Sequence, residues 1–77
     1  MMTIDYGTSS MQMGDLLRSQ GVSPKQDFSE RQRRKIREKL LRYLATNGDK
    51  PVRIKLKKFV LQLKGWDEAG YLLQYFL

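Results

Sequence analysis

Ile36, Leu40, Tyr43 and Leu44 recur at helical spacing inside the most basic stretch of the chain. Residues three and four apart share one helix face, so these four make a single apolar stripe. Lys and Arg fill most of the other positions. A chain with this pattern must bury one side of a cationic helix and needs further elements to cover it. The spacing predicts a helix from Ser29 to Thr46. Ser29-x-x-Gln32 has the form of a capping box at its start, and Asp27-x-x-Glu30 competes for that role. Asn47-Gly48 supplies residues that tolerate the left-handed backbone at its end. Arg31, Lys35, Lys39 and Arg42 fall together on the wheel, opposite or beside the stripe, with Arg34 farther round.

The charge is concentrated in the middle of the chain. Residues 31–64 hold thirteen Lys/Arg against Glu38 and Asp49, a net of +11. Residues 1–30 and 65–77 each carry a net of −2, which leaves +7 over 77 residues. A block this basic sets up a local field that attracts polyanions, or an acidic protein surface.

Composition removes several function classes. With no Cys and no His, there is no thiol nucleophile, zinc finger or imidazole base. Asp67 and Glu68 are chain neighbours, which point apart on a helix and make no acid–base pair. Neither phosphate-loop glycine pattern is present. The expectation is a binding protein rather than an enzyme, with no cofactor, no metal and no small-molecule substrate. No apolar run approaches the roughly 20 residues of a membrane span. Met1-Met2-Thr3-Ile4-Asp5 lacks the basic start and apolar block of a signal peptide. A cytoplasmic or nucleoid-associated location, away from membranes, is expected.

Residues 1–27 are expected to form a flexible N-terminal segment, with a tail over 1–10 and a short helix over 11–20. Met13, Leu16 and Leu17 share one face of that helix and Gly21 caps it. Ser23-Pro24 marks a turn. Residues 28–77 form one helical domain. Within it, residues 52–63 carry two signals. Val52, Ile54 and Leu56 alternate with Arg53, Lys55 and Lys57, as in a strand; Leu56, Phe59, Val60 and Leu63 repeat as in a helix. Both are accommodated by a short strand over 52–54 and a helix over 55–64. Asp67 caps a last helix to Leu77, with Ala69, Leu72, Leu73 and Phe76 inward and Trp66 a core plug at the turn. The fold class is mainly α, a small three-helix, helix-turn-helix-like domain with one short strand. The alternative is α+β, with a C-terminal β-hairpin of strands near 52–63 and 71–77.

The stretch from Leu40 through Asn47-Gly48 to Ile54 resembles the opening of a winged-helix domain, where a helix ends in a Gly-containing turn before a brief strand. Leu56, Phe59, Val60 and Leu63 resemble the first helix of the helix-turn-helix motif, Gly65-Trp66-Asp67 its turn, and Ala69 to Leu77 its recognition helix. The resemblance covers residues 30–77 and implies nucleic-acid binding. Such a recognition helix would carry Asp67, Glu68, Gly70, Tyr71, Gln74 and Tyr75 outward, with no Lys or Arg. The basic residues lie instead on the two preceding elements, which suits phosphate contact without base reading.

Two functions follow. The first is a small nucleic-acid-binding transcription regulator. Its phosphate contacts come from Arg31, Arg34, Lys35, Lys39, Arg42, Arg53, Lys55, Lys57 and Lys58, on DNA or RNA. The second is a protein-binding adaptor or inhibitor of the phage or mobile-element type, docking the same residues on an acidic surface of a nucleic-acid-processing enzyme. Tyr71, Gln74, Tyr75 and Leu77 are the expected interface residues, and the seam if a homodimer forms.

Overall fold

The computed structural model describes residues 2–5, 10–46 and 50–77. The order is β1 (Met2–Asp5), α1 (Ser10–Ser19), α2 (Pro24–Asp27), α3 (Glu30–Thr46), β2 (Val52–Leu56), β3 (Phe59–Leu63) and α4 (Trp66–Phe76). The fold is mainly helical, and the strands form one sheet in the order β1-β3-β2.

The long helix forms where its spacing places it. Its capping box closes as the sequence predicts: Gln32 N donates to Ser29 Oγ at 3.2 Å, and Ser29 N donates to Gln32 Oε1 at 2.8 Å. Two orphan donors of the first turn are thereby satisfied. Asp27 loses the competition because its carboxylate is used elsewhere. Leu40 and Tyr43 are buried, with Ile36 and Leu44 packed beside them. The expected stop at Asn47-Gly48 lies outside the described residues.

The short first helix is also present. Gly21, at φ 70°, ends it in a Schellman motif, with Val22 N donating to Leu17 O at 2.8 Å and Gly21 N to Arg18 O at 3.0 Å. Met13, Leu17 and Val22 sit in the same core as α3, α4 and the sheet. Residue 27 is therefore no packing boundary. Ser23-Pro24, read as a turn, is the start of a single helical turn, Pro24–Asp27.

Two segments differ from the sequence reading. Residues 55–64 are not a helix. The hairpin β2–β3 occupies 52–63, with Leu56 opposite Phe59 across a two-residue turn. Ile54, Leu56, Phe59, Leu61 and Leu63 all face the core. The segment expected as the first helix of a helix-turn-helix motif is thus a strand pair, and Gly65-Trp66-Asp67 joins a strand to a helix. The α+β alternative is compatible with this sheet, but its hairpin lies within 52–63 and not between 52–63 and 71–77, since residues 71–76 are helical. The second difference is at the start. The tail expected over 1–10 carries β1, which pairs parallel with β3, Met2 opposite Phe59 through Asp5 opposite Gln62. With β2 on one edge of β3, the other edge holds unpaired backbone groups, and β1 satisfies them. The parallel pairing needs a long crossover, which α1, α2, α3 and β2 supply.

Helix α4 packs against α3 and α1 and buries Ala69, Leu72 and Phe76 fully. It starts at Trp66, so Asp67 is not its cap. Glu68, in the first turn, is buried and accepts a hydrogen bond from Lys64 N at 2.6 Å. Trp66 is 58% exposed rather than a core plug. It is the first residue of α4, at the open end of the helix.

Candidate functional site

Helix α3 and strand β2 are linked by a side-chain hydrogen bond. Lys39 Nζ donates to Arg53 O at 2.9 Å. β2 is an edge strand, so this bond satisfies a carbonyl on the open side of the sheet and places lysine where strand addition would occur. Lys35 then stands one helical turn before Lys39, and Lys55 two residues beyond Arg53. Lys35 and Lys55 line one cleft, which brings basic residues of the two elements together.

All nine expected basic residues are exposed, but they differ in how free they are. Lys57 is paired with Asp27, Nζ to Oδ1 at 3.0 Å. Lys39 is engaged with backbone, and Arg53 Nε donates weakly to Gln62 Oε1 at 3.4 Å. Arg31, Arg34, Lys35, Arg42, Lys55 and Lys58 have no ion pair with any described carboxylate. Arg31, Arg34, Lys35 and Arg42 lie on the side of α3 away from Leu40 and Tyr43, around the single acid Glu38.

Arg33 and Arg37, which the wheel left out of the binding set, are structural. Arg33 Nη1 donates to Phe28 O at 2.6 Å and Arg37 Nη1 to Phe76 O at 2.6 Å. Both also clasp Glu30, at 2.8 and 2.7 Å. The hydrogen bond from Arg37, then that from Arg33, holds the Glu30 carboxyl below its ordinary range. Asp27 is lowered as well, first by the hydrogen bond from Ser23 N at 2.6 Å and then by Lys57.

Between α3 and the hairpin turn lies an open cleft of about 400 Å³. Lys35, Lys55 and Lys57 line it together with Phe28, Ile36, Gln32 and Asp27. Phe28, Gln32 and Ile36 were absent from the expected site. Phe28 is held from behind by an edge contact with Phe76, centroids 5.5 Å apart at 63°. Its signal in the sequence is a lone aromatic immediately before the capping box. Lys57 has φ 46°, a backbone conformation uncommon for a residue with a Cβ, and its ion pair ties that turn to α2.

The expected interface residues on α4 divide into two pairs. Tyr71 and Tyr75 are half-buried and pack against the core, so they are not the free seam the sequence suggested. Tyr75 leans over α1, where a Cβ on Gly14 would come within 2.5 Å of its hydroxyl. Gln74 is exposed and Leu77 is 72% exposed. Asp67 shares this outer side, while Glu68, also expected outward, is buried.

Among the described residues no group of three carboxylates, His or Cys is placed to hold a metal ion, and no helix is long and apolar enough to cross a membrane. No protein family, curated protein or solved structure matches this chain.

Proposed function

We propose that the protein binds nucleic acid through phosphate contacts from the outer face of α3 and the solvent side of β2, acting as a small regulator in the cytoplasm or at the nucleoid. One observation carries this reading. Six Lys and Arg side chains on the joined α3–hairpin surface are exposed and lack a described carboxylate partner. Cations left unpaired on one surface match the linear charge of a phosphate backbone, and binding gains from counterion release. α4 offers no Lys or Arg outward, so the surface reads charge rather than base sequence.

Charge reversal at Arg34 and Lys35 tests this. The double variant should weaken binding to a labelled duplex and flatten its salt dependence by about 0.9 in log K per log salt for each phosphate it no longer neutralises. An unchanged slope would overturn the reading.

A second reading, docking on an acidic surface of a nucleic-acid-processing enzyme, has its own support. Leu41, Trp66 and Leu77 are 53%, 58% and 72% exposed, and aromatic and apolar side chains of this kind are what a protein partner would cover. A pull-down from native lysate with and without nuclease separates the two. A stoichiometric protein retained after nuclease favours docking, and loss of all bound protein with the nucleic acid favours direct binding.

A further inference from the structure

The cleft between α3 and the hairpin turn has walls and a floor of different chemistry. Lys35, Lys55 and Lys57 supply three ammonium groups against the one carboxylate of Asp27. Both Asp27 oxygens are occupied, Oδ1 by Lys57 and Oδ2 by Ser23 N. The lining thus remains net positive, and its acid is already satisfied. The floor carries Phe28 and Ile36, apolar surface left half-exposed although the core lies directly behind it. A volume of about 400 Å³ falls at the lower end of small-ligand sites. A bare polyanion has no use for an apolar floor. A paired duplex keeps its base faces stacked and offers none to it.

We propose that this cleft takes one unstacked base of a single-stranded nucleic acid, against Phe28 and Ile36, while Lys35 and Lys55 hold the flanking phosphates. The ligand class is then single-stranded DNA or RNA in preference to duplex. An aromatic platform beside backbone cations is the recurring arrangement for strand binding without sequence preference. Lys57 keeps a structural duty, holding the turn on α2 so that the cleft has a fixed width. This inference rests on the nucleic-acid reading above and adds a strand preference and a base site to it.

The test uses the full chain, with labelled dT12 and a mixed-sequence 12-bp duplex in fluorescence anisotropy. The wild type should bind dT12 more tightly than the duplex. Phe28→Leu keeps the packing on Phe76 but removes the aromatic face. It should weaken dT12 binding on the order of tenfold and leave the duplex nearly unchanged. Thermal melts show whether the variant is folded. If it is not, the wild type carries the test through photocrosslinking of a 4-thiothymidine dT12, with the adduct mapped by mass spectrometry. An adduct in the cleft, at Phe28 or its neighbours, is expected. Adducts confined to α4 overturn the base site. Equal affinity for both nucleic acids, or displacement of dT12 by poly-glutamate as readily as by unlabelled dT12, also overturns it and leaves a charge-reading surface. Failure to bind either nucleic acid overturns the parent reading as well.

Discussion

The guanidinium of Arg37 reaches from the middle of α3 to the last turn of α4, where Nη1 donates to Phe76 O at 2.6 Å. That carbonyl is one of the last four in its helix and has no partner within it. A cation there also faces the negative end of the helix dipole. The same side chain holds Glu30 at 2.7 Å, so one arginine ties the start of α3 to the end of α4. Arg34, three residues earlier, does neither.

The two arginines should therefore separate stability from binding. Arg37→Ala leaves a helix-end carbonyl short of its donor and should cost about 1–2 kcal/mol. Its side chain is only 20% exposed, so solvent replaces little of the loss. Arg34→Ala should leave stability within about 0.5 kcal/mol yet weaken nucleic-acid binding. Urea melts and anisotropy titrations on both variants check this. A destabilised Arg34→Ala, or an Arg37→Ala that melts like the wild type, contradicts the assignment.

Acid should loosen α2 and the start of α3, where Asp27 and Glu30 sit. Asp27 and Glu30 have folded pKa values below their ordinary ones. For a carboxylate lowered on folding, the stabilisation is complete above the unfolded value, about 3.9 for Asp and 4.3 for Glu. It is lost as pH falls through the folded value. The melting temperature should be flat in this contribution above about pH 5.5 and decline below it. Asp27→Asn and Glu30→Gln should each lower stability at pH 7 and flatten the acid limb. A double variant with the wild-type acid slope would place the titrating groups elsewhere.

Two helical glycines should respond differently to alanine. A Cβ on Gly70 meets nothing within 4 Å, so Gly70→Ala should stabilise α4 by about 0.5–1 kcal/mol. A Cβ on Gly14 would stand 2.5 Å from the Tyr75 hydroxyl and 3.4 Å from its Cζ. Gly14→Ala should gain less than Gly70→Ala, because Tyr75 must move. In a Tyr75→Phe background the obstructing oxygen is gone, and most of the helix gain should return, because the remaining close neighbour, Arg18 Nη1 at 3.3 Å, is the end of a flexible side chain. Thermal melts of the cycle decide it; equal gains at both sites would mean that α1 and α4 stand farther apart.

The sequence carried α1 with its Gly21 cap, α3 with its capping box, and the span of α4 because those signals are local. Ser29 and Gln32 sit three residues apart and bond to each other, and Gly21 ends α1 by its own backbone freedom. The strand expected over 52–54 lies within β2; its continuation into a hairpin and the strand β1 were hidden for a physical reason. The hairpin turn is Lys57-Lys58, without the Gly or Asn that announces tight turns. Two residues of turn between alternating strands put Leu56 and Phe59 both inward, three apart, which imitates a helix. β1 has only four residues and no meaning until β3 presents an edge 57 positions along the chain, Met2 to Phe59. The exposure of Arg31, Arg34, Lys35, Lys39 and Arg42 was legible from the helical wheel; the structural roles of Arg33 and Arg37 were not, since their partners Phe28 and Phe76 come from outside α3. The cleft was not, since it joins α2, α3 and the hairpin turn, which only the tertiary fold brings together.

Val60 and Leu61 discriminate the two readings of 55–64 most sharply. A helix spaced on Leu56, Phe59 and Leu63 turns Val60 inward and Leu61 out. The hairpin does the reverse: Leu61 is fully buried, in register with Ile54 on one side and Ile4 on the other, while Val60 lies on the outer face of the sheet. Leu61→Ala should cost about 2–5 kcal/mol, the loss of a fully buried leucine and the cavity left behind. Val60→Thr keeps the β-branch that suits a strand and should cost less than about 1 kcal/mol. Denaturant melts of the two variants measure the contrast directly. A reversed order would restore the helix, remove the partner of β1 and dissolve the cleft.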